Sequence, residues 1–171
     1  KTHPGVLSKE GEAYRNFLVG KVRELNLDNH VRFYNRFLPL RELLQFLQAT
    51  DVYLATSLDP DHAVSGTLSY ALGTGRPVIS TAFAQAKEYI TDEVGMLVDF
   101  KNADVYAECL LRLIADESLR EQMGKNAYFR TRNMTWPNVA LAYLRYFARL
   151  IPELHAIEKA LPPIKFTHFF K

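Results

Sequence analysis

The sequence holds one cysteine, Cys109, in 171 residues. No disulfide framework can be built from it, and a reducing, cytoplasmic setting is expected. Long apolar runs are missing: nothing approaches the roughly 18–20 residues that a membrane span requires. An excess of one charge is missing too. Lysine and arginine number 21 against 19 aspartates and glutamates, for a formal net charge of +2. No basic block stands out, so a nucleic-acid partner has no electrostatic footprint. With only 8 glycines and 8 prolines, a collagen-like fibre is excluded. There is no P-loop lysine motif, no H-E-x-x-H, no zinc-type spacing and no nucleophile elbow. Gly73-Thr74-Gly75 ends a helical pattern instead of opening one, so it is no dinucleotide fingerprint. Lys1-Thr2-His3-Pro4-Gly5 offers neither an initiator methionine nor an apolar h-region. The expectation is a piece of a longer protein without a signal peptide.

What is present is 48% hydrophobic and 23% charged, enough for one domain with a full core. Four short apolar segments read as strands: 31–34, 52–55, 78–80 and 96–98. None alternates with polar residues, which suits parallel strands covered on both faces. Helical spacing lies between them: a first helix near 9–26, then Leu43, Leu44 and Leu47, then Leu68, Ala71 and Leu72, then Tyr106, Cys109, Leu110, Leu113 and Ile114. Strand and helix in alternation predict an α/β doubly wound parallel sheet. Beyond the last strand the pattern is wholly helical, with one helix over 119–130. A second opens at Thr135 as N-cap, with Pro137 in its first turn. Its apolar stripe is Trp136, Val139, Ala140, Tyr143, Leu144, Phe147, Leu150 and Ile151. Pro152 ends it, which sets the division into a domain over 1–151 and a helix and linker over 152–171. A short helix is expected over 153–160, then Pro162-Pro163, then a tail carrying Phe166, Phe169 and Phe170. Cys109 reads as core. Arg120, Lys125, Arg130 and Arg132 read as a solvated basic face.

The stretch 51–75, DVYLATSLDPDHAVSGTLSYALGTG, reads strand, polar loop, helix. In a parallel sheet the loop after a strand's carboxyl end lies on the ligand side. Ser65 is a good N-cap, Gly66 leaves room for close approach, and Ser65-Gly66-Thr67 offers free amides at the positive end of a helix dipole. Two readings stand: an anion site able to hold a diphosphate without a metal, or an ordinary capped helix. Tyr70 falls opposite Leu68, Ala71 and Leu72, and either donates to a sugar hydroxyl or fills an interlayer gap. Asp59-Pro60-Asp61 resembles a D-x-D cation motif, though two carboxylates make no coordination sphere, and no metal site is assigned. His62 is the one candidate for proton relay, or a surface histidine. Asn35, Arg36 and Phe37 follow the segment 31–34 onto the rim, where a planar group can stack on a base. Phe37 alternatively anchors a helix. Thr81, Gln85 and Glu88 follow 78–80. Glu88 either meets a sugar hydroxyl or supports a helix surface.

SGTLSYALGTGRPVIST over 65–81 and AQAKEYITDEVGMLV over 84–98 resemble the carboxyl-terminal, donor-binding domain of retaining family 4 (group 1) glycosyltransferases of the two-domain GT-B fold. THP, GEAYR, HVRFYNRFLPLRELLQFLQATDVYL and RNMTWPNVALAYLRYF extend the resemblance over about residues 2–150. It implies transfer of a sugar from a nucleotide-diphosphate donor to an acceptor hydroxyl, in a glycan or another hydroxyl compound. It implies donor phosphates on the helix that starts at Ser65, with no bound metal and no other cofactor, and a base near the loop after 31–34. Retention would follow from front-face attack, the diphosphate leaving group helping to take the proton. Against the family's E-x7-E pair, this sequence has His62 at the first position and Tyr70 at the second. Asp61 stands one residue away as a substitute for the first. The family's domain has six strands, the first beside the fourth. The resemblance therefore implies that the first strand, its helix and the second strand are missing here, together with the basic residues of that loop and the acceptor domain. Alone, the chain is expected to be inactive, and its open sheet edge to invite pairing. Two alternatives share these features: a non-catalytic nucleotide-sugar-binding module, and a sugar-nucleotide epimerase of the same fold.

Overall fold

The computed structural model describes residues 2–154, 156 and 160–163. The tail from 164 onward, with Phe166, Phe169 and Phe170, lies outside the described residues. The chain forms two compact units, Lys1–Leu43 and Leu44–Lys171.

The first unit opens on α1 (Pro4–Glu10) and α2 (Ala13–Glu24). The single helix expected near 9–26 is thus two helices, and helical structure starts earlier, at Pro4. His3 caps it, its Nδ1 accepting from the Gly5 amide at 3.1 Å, and Pro4 occupies a position where no amide is needed. Gly11 separates the helices at φ +62°, a left-handed conformation that glycine adopts without a Cβ clash. Its amide closes on the Leu7 carbonyl at 3.1 Å. The segment 31–34 is not a strand. The amide of Val31 turns back to Leu27 at 2.9 Å, and that of Arg36 to Tyr34 at 2.9 Å. No ladder partner exists for it among the described residues, and β propensity alone holds no strand together.

α3 (Leu40–Gln48) carries the chain into the second unit. There β1 (Tyr53–Ala55), β2 (Val78–Thr81) and β3 (Gly95–Val98) form a parallel sheet in the order β1-β2-β3. Three of the four expected strands are therefore found. Every residue of β2 is buried. Since alternate side chains point to opposite faces, the sheet is covered on both, as in a doubly wound fold. Between the strands run α4 (Gly66–Gly73) and α5 (Ala84–Tyr89), and after them α6 (Ala103–Ala115), α7 (Glu117–Arg130) and α8 (Trp136–Leu150). One core cluster joins Ile79, Val98, Leu113 and Met123, with Tyr106, Cys109 and Leu110 packed against it. No helix among the described residues is long and apolar enough to cross a membrane.

Two helical expectations are corrected. The apolar stripe of α8 is mostly exposed, with Trp136 at 85% and Tyr143, Leu144, Phe147 and Leu150 also open. The buried side carries Asn138 and Ala148 instead. Asn138 is satisfied there, its Nδ2 donating to the Arg132 carbonyl at 2.7 Å. Thr135 stands at the N-cap as read, its carbonyl accepting from the Val139 amide at 2.9 Å, while its hydroxyl donates to the Arg132 carbonyl at 3.1 Å and makes no side-chain cap bond. Nor do the basic residues form one solvated face. Arg120 donates to the Leu113 carbonyl at 2.8 Å, closing the end of α6. Arg132 is only 8% exposed. Within the helix expected over 153–160, the described residues Ala156 and Ala160 are helical, after a 3-10 turn at Pro152–Leu154.

Candidate functional site

Ser65 begins α4 in extended conformation, and its Oγ accepts from the Leu68 amide at 3.3 Å. Leu68, Ala71 and Leu72 are buried, so the inner face of this helix is as the spacing predicts. Its first two amides, of Gly66 and Thr67, find no acceptor among the described residues. A Cβ built on Gly66 would meet nothing within 4 Å. The helix start is therefore open, with two unsatisfied N–H groups at the positive end of the dipole. The side chain of Thr67 is held from below: the Tyr53 hydroxyl, on β1, donates to its Oγ1 at 2.8 Å.

The loop before α4 is tied in place. The amide of Asp61 donates to Asp59 Oδ1 at 3.0 Å, so the D-x-D carboxylate serves its own turn. The Pro60 carbonyl accepts from the Ala84 amide at 2.9 Å, and the His62 carbonyl from the Gln85 amide at 3.3 Å. The His62 ring meets Phe83 edge-on, centroids 5.3 Å apart. Thr81 Oγ1 donates to the Ser57 carbonyl at 2.6 Å. Among the described residues no three His, Cys, Asp or Glu side chains come close enough to hold a metal ion.

Asp61, His62, Ser65, Gly66 and Thr67 thus line one continuous stretch of loop and helix start. Tyr70 is 40% exposed on the outer flank of α4. It lines a groove of about 410 Å³ with Thr74, Arg132, Met134 and Trp136. Glu88 is exposed on α5. Asn35 and Arg36 belong to the first unit. Arg36 is held there in a two-pronged ion pair with Glu42, and Asn35 lines a cavity of about 270 Å³ with Tyr14, Phe33 and Tyr34.

Two residues of the site were not legible as such. Gln85, read only as a helix residue after β2, has its side chain folded under the start of α4. Its sequence signal is a lone amide between Phe83, Ala84 and Ala86. Tyr106, read as part of an apolar stripe, directs its hydroxyl to the strand ends, 2.5 Å from the Ala55 carbonyl and 3.2 Å from that of Ile79. Burial is the main reason its pKa is pushed up to about 12. The neutral phenol is kept as a donor to β1 and β2.

The sequence matches the family described as "Glycosyl transferases group 1" over residues 7–130. A D-inositol 3-phosphate glycosyltransferase from Corynebacterium efficiens is 29% identical over 138 residues, 80% of this chain and 31% of that protein. Among solved structures, sucrose-phosphate synthase from Thermosynechococcus elongatus superposes with a TM-score of 0.72 at 26% identity, covering 84% of this chain and 36% of that one. The C-terminal domain of a glycosyl transferase group 1 family protein from Francisella tularensis gives 0.62 at 26% identity, covering 75% and 63%. The chain thus spans about a third of the length of the curated relative it matches. The family match runs unbroken through the parallel strands, the tied loop and the open start of α4, and the chain belongs to the glycosyl transferases group 1 family.

Proposed function

We propose that residues 1–151 are the donor-binding half of a retaining glycosyltransferase, which takes a sugar from a nucleoside-diphosphate sugar and delivers it to an acceptor hydroxyl. The observation that carries this reading is the pair of amides at Gly66 and Thr67 with no acceptor among the described residues, beside a Gly66 whose Cβ position has no atom within 4 Å. A diphosphate satisfies both amides and meets the helix dipole. The same amides supply the charge compensation, so the reading calls for no metal or other cofactor. Ser65 and Thr67 add hydroxyls beside the phosphates. Asp61 and Glu88 are assigned to sugar hydroxyls, and Tyr70 to a ribose or sugar hydroxyl. His62 is assigned to orienting the reacting groups.

In the step itself, the bond from the anomeric carbon to the diphosphate oxygen breaks. The acceptor oxygen attacks the same face, and its proton passes to the departing diphosphate, so the configuration is retained. The amides of α4 stabilise the charge that grows on the leaving group. The acceptor and the domain that would hold it belong to the longer protein that the relatives imply. We place that protein in the cytoplasm, a reading supported by the unpaired Cys109 in the core.

Calorimetric titration with UDP, GDP and ADP tests the reading. Saturable binding of one of them is expected. Binding of none would overturn it.

A further inference from the structure

Gln85 is 7% exposed, and its side-chain amide is used at both ends. Its Oε1 accepts from the Ser65 amide, and its Nε2 donates to Ser69 Oγ at 3.1 Å. Ser69 Oγ in turn donates to the Ser65 carbonyl at 3.1 Å. The backbone amide of Gln85 meanwhile donates to the His62 carbonyl. One residue of α5 therefore holds the loop at 62 and the first turn of α4 at 65 and 69. Ser65 is the residue whose amide would otherwise stand beside those of Gly66 and Thr67. With that amide turned inward to Gln85, only the next two face outward.

We infer that Gln85 is the positioning residue of the diphosphate site: it aims the amides of Gly66 and Thr67 and limits the donor set to those two. This rests on the reading of α4 as the diphosphate site. The geometry also limits what position 85 can carry. An acceptor must face the Ser65 amide, and a donor must face Ser69. A carboxylate there satisfies Ser65 but places a negative charge directly behind the anion.

The test compares wild type, Gln85→Met and Gln85→Glu, titrated with inorganic pyrophosphate and with UDP, GDP and ADP. Gln85→Met keeps the volume and removes both hydrogen bonds. It is expected to weaken diphosphate binding by about tenfold or more. Gln85→Glu keeps the Ser65 bond but loses the donor to Ser69; it is expected to stay folded at the assay temperature with a lowered melting midpoint, and to bind pyrophosphate about tenfold or more weakly. Its deficit relative to wild type should shrink as salt is raised, because charge repulsion is screened. A residue serving stability alone would show neither the loss without unfolding nor the salt signature. If wild type binds and both variants bind within about twofold of it, the positioning role is overturned while the site stands. Should Gln85→Met fail to fold, Gln85→Glu decides by the same criteria. If wild type binds none of the four probes, the diphosphate reading itself falls, and this inference with it.

Discussion

Arg132 donates from Nη2 to the carbonyl of Gly73, 59 residues earlier, at 2.6 Å. The same guanidinium donates from Nε to the Tyr128 carbonyl at 2.8 Å and lies 3.7 Å from the centre of the Tyr128 ring. Gly73 is the last residue of α4, so this contact fastens the far end of the helix whose start is the candidate site. Arg132→Met is expected to lower stability by about 1–3 kcal/mol in chemical denaturation, because the Gly73 and Tyr128 carbonyls lose a charged donor. Arg132→Lys should restore less than half of that, since an ammonium cannot donate as a planar fork and stack at once. Equal midpoints for all three proteins would return Arg132 to an ordinary surface residue.

Gly66→Val separates the site from the fold. Nothing lies within 4 Å of a Cβ at 66, so the structure accepts the side chain. The branched methyls shield the two amides from an anion. Diphosphate affinity is expected to drop by about tenfold or more, with the melting midpoint moved by less than about 2 °C. Calorimetry and a thermal melt on the same sample check both halves.

Two glycine-to-alanine changes should act in opposite directions. A Cβ on Gly95 would stand 2.2 Å from the Val78 carbonyl oxygen, a backbone atom of the adjacent strand. Gly95→Ala is expected to destabilise by about 1–3 kcal/mol through forced separation of β2 and β3. Gly20 sits inside α2 with no atom within 4 Å of its Cβ position. Gly20→Ala should stabilise the helix by about 0.5–1 kcal/mol. Denaturant midpoints read both.

Tyr106 predicts an alkaline limit. Its pKa stands at about 12 in the fold against 10.0 when free. The folded state therefore keeps the phenol proton over a range where the unfolded chain gives it up. Stability from this group is complete below about pH 10 and falls away as the pH rises toward about 12. Tyr106→Phe loses the bonds to Ala55 and Ile79 at neutral pH, and its stability should fall less steeply across that alkaline window. Parallel slopes for the two proteins would contradict the assignment.

Much of this protein was legible along the chain because the signals are local. The buried face of α4 follows from helical spacing. Ser65 as its cap follows from the chemistry of a hydroxyl beside free amides, and the parallel sheet from short apolar strands separated by helical segments. These rest on contacts within a few residues. The family pattern of residues 65–98 belongs to the same class.

Tertiary structure alone decided where the chain's polar groups would meet. The segment 31–34 has strand composition but no described ladder partner, so its flanking amides closed on local turns. Arg132 read as part of a solvated face, yet it is buried, with its guanidinium donating to the carbonyl of Gly73, 59 residues away. The apolar stripe of α8 stands mostly exposed, while Asn138 on its buried side meets the Arg132 carbonyl. Gln85 lies 20 residues from Ser65, and no periodicity links them. A sequence determines which groups must be satisfied, and only the folded chain determines by whom, because hydrogen-bond partners are chosen by proximity in space.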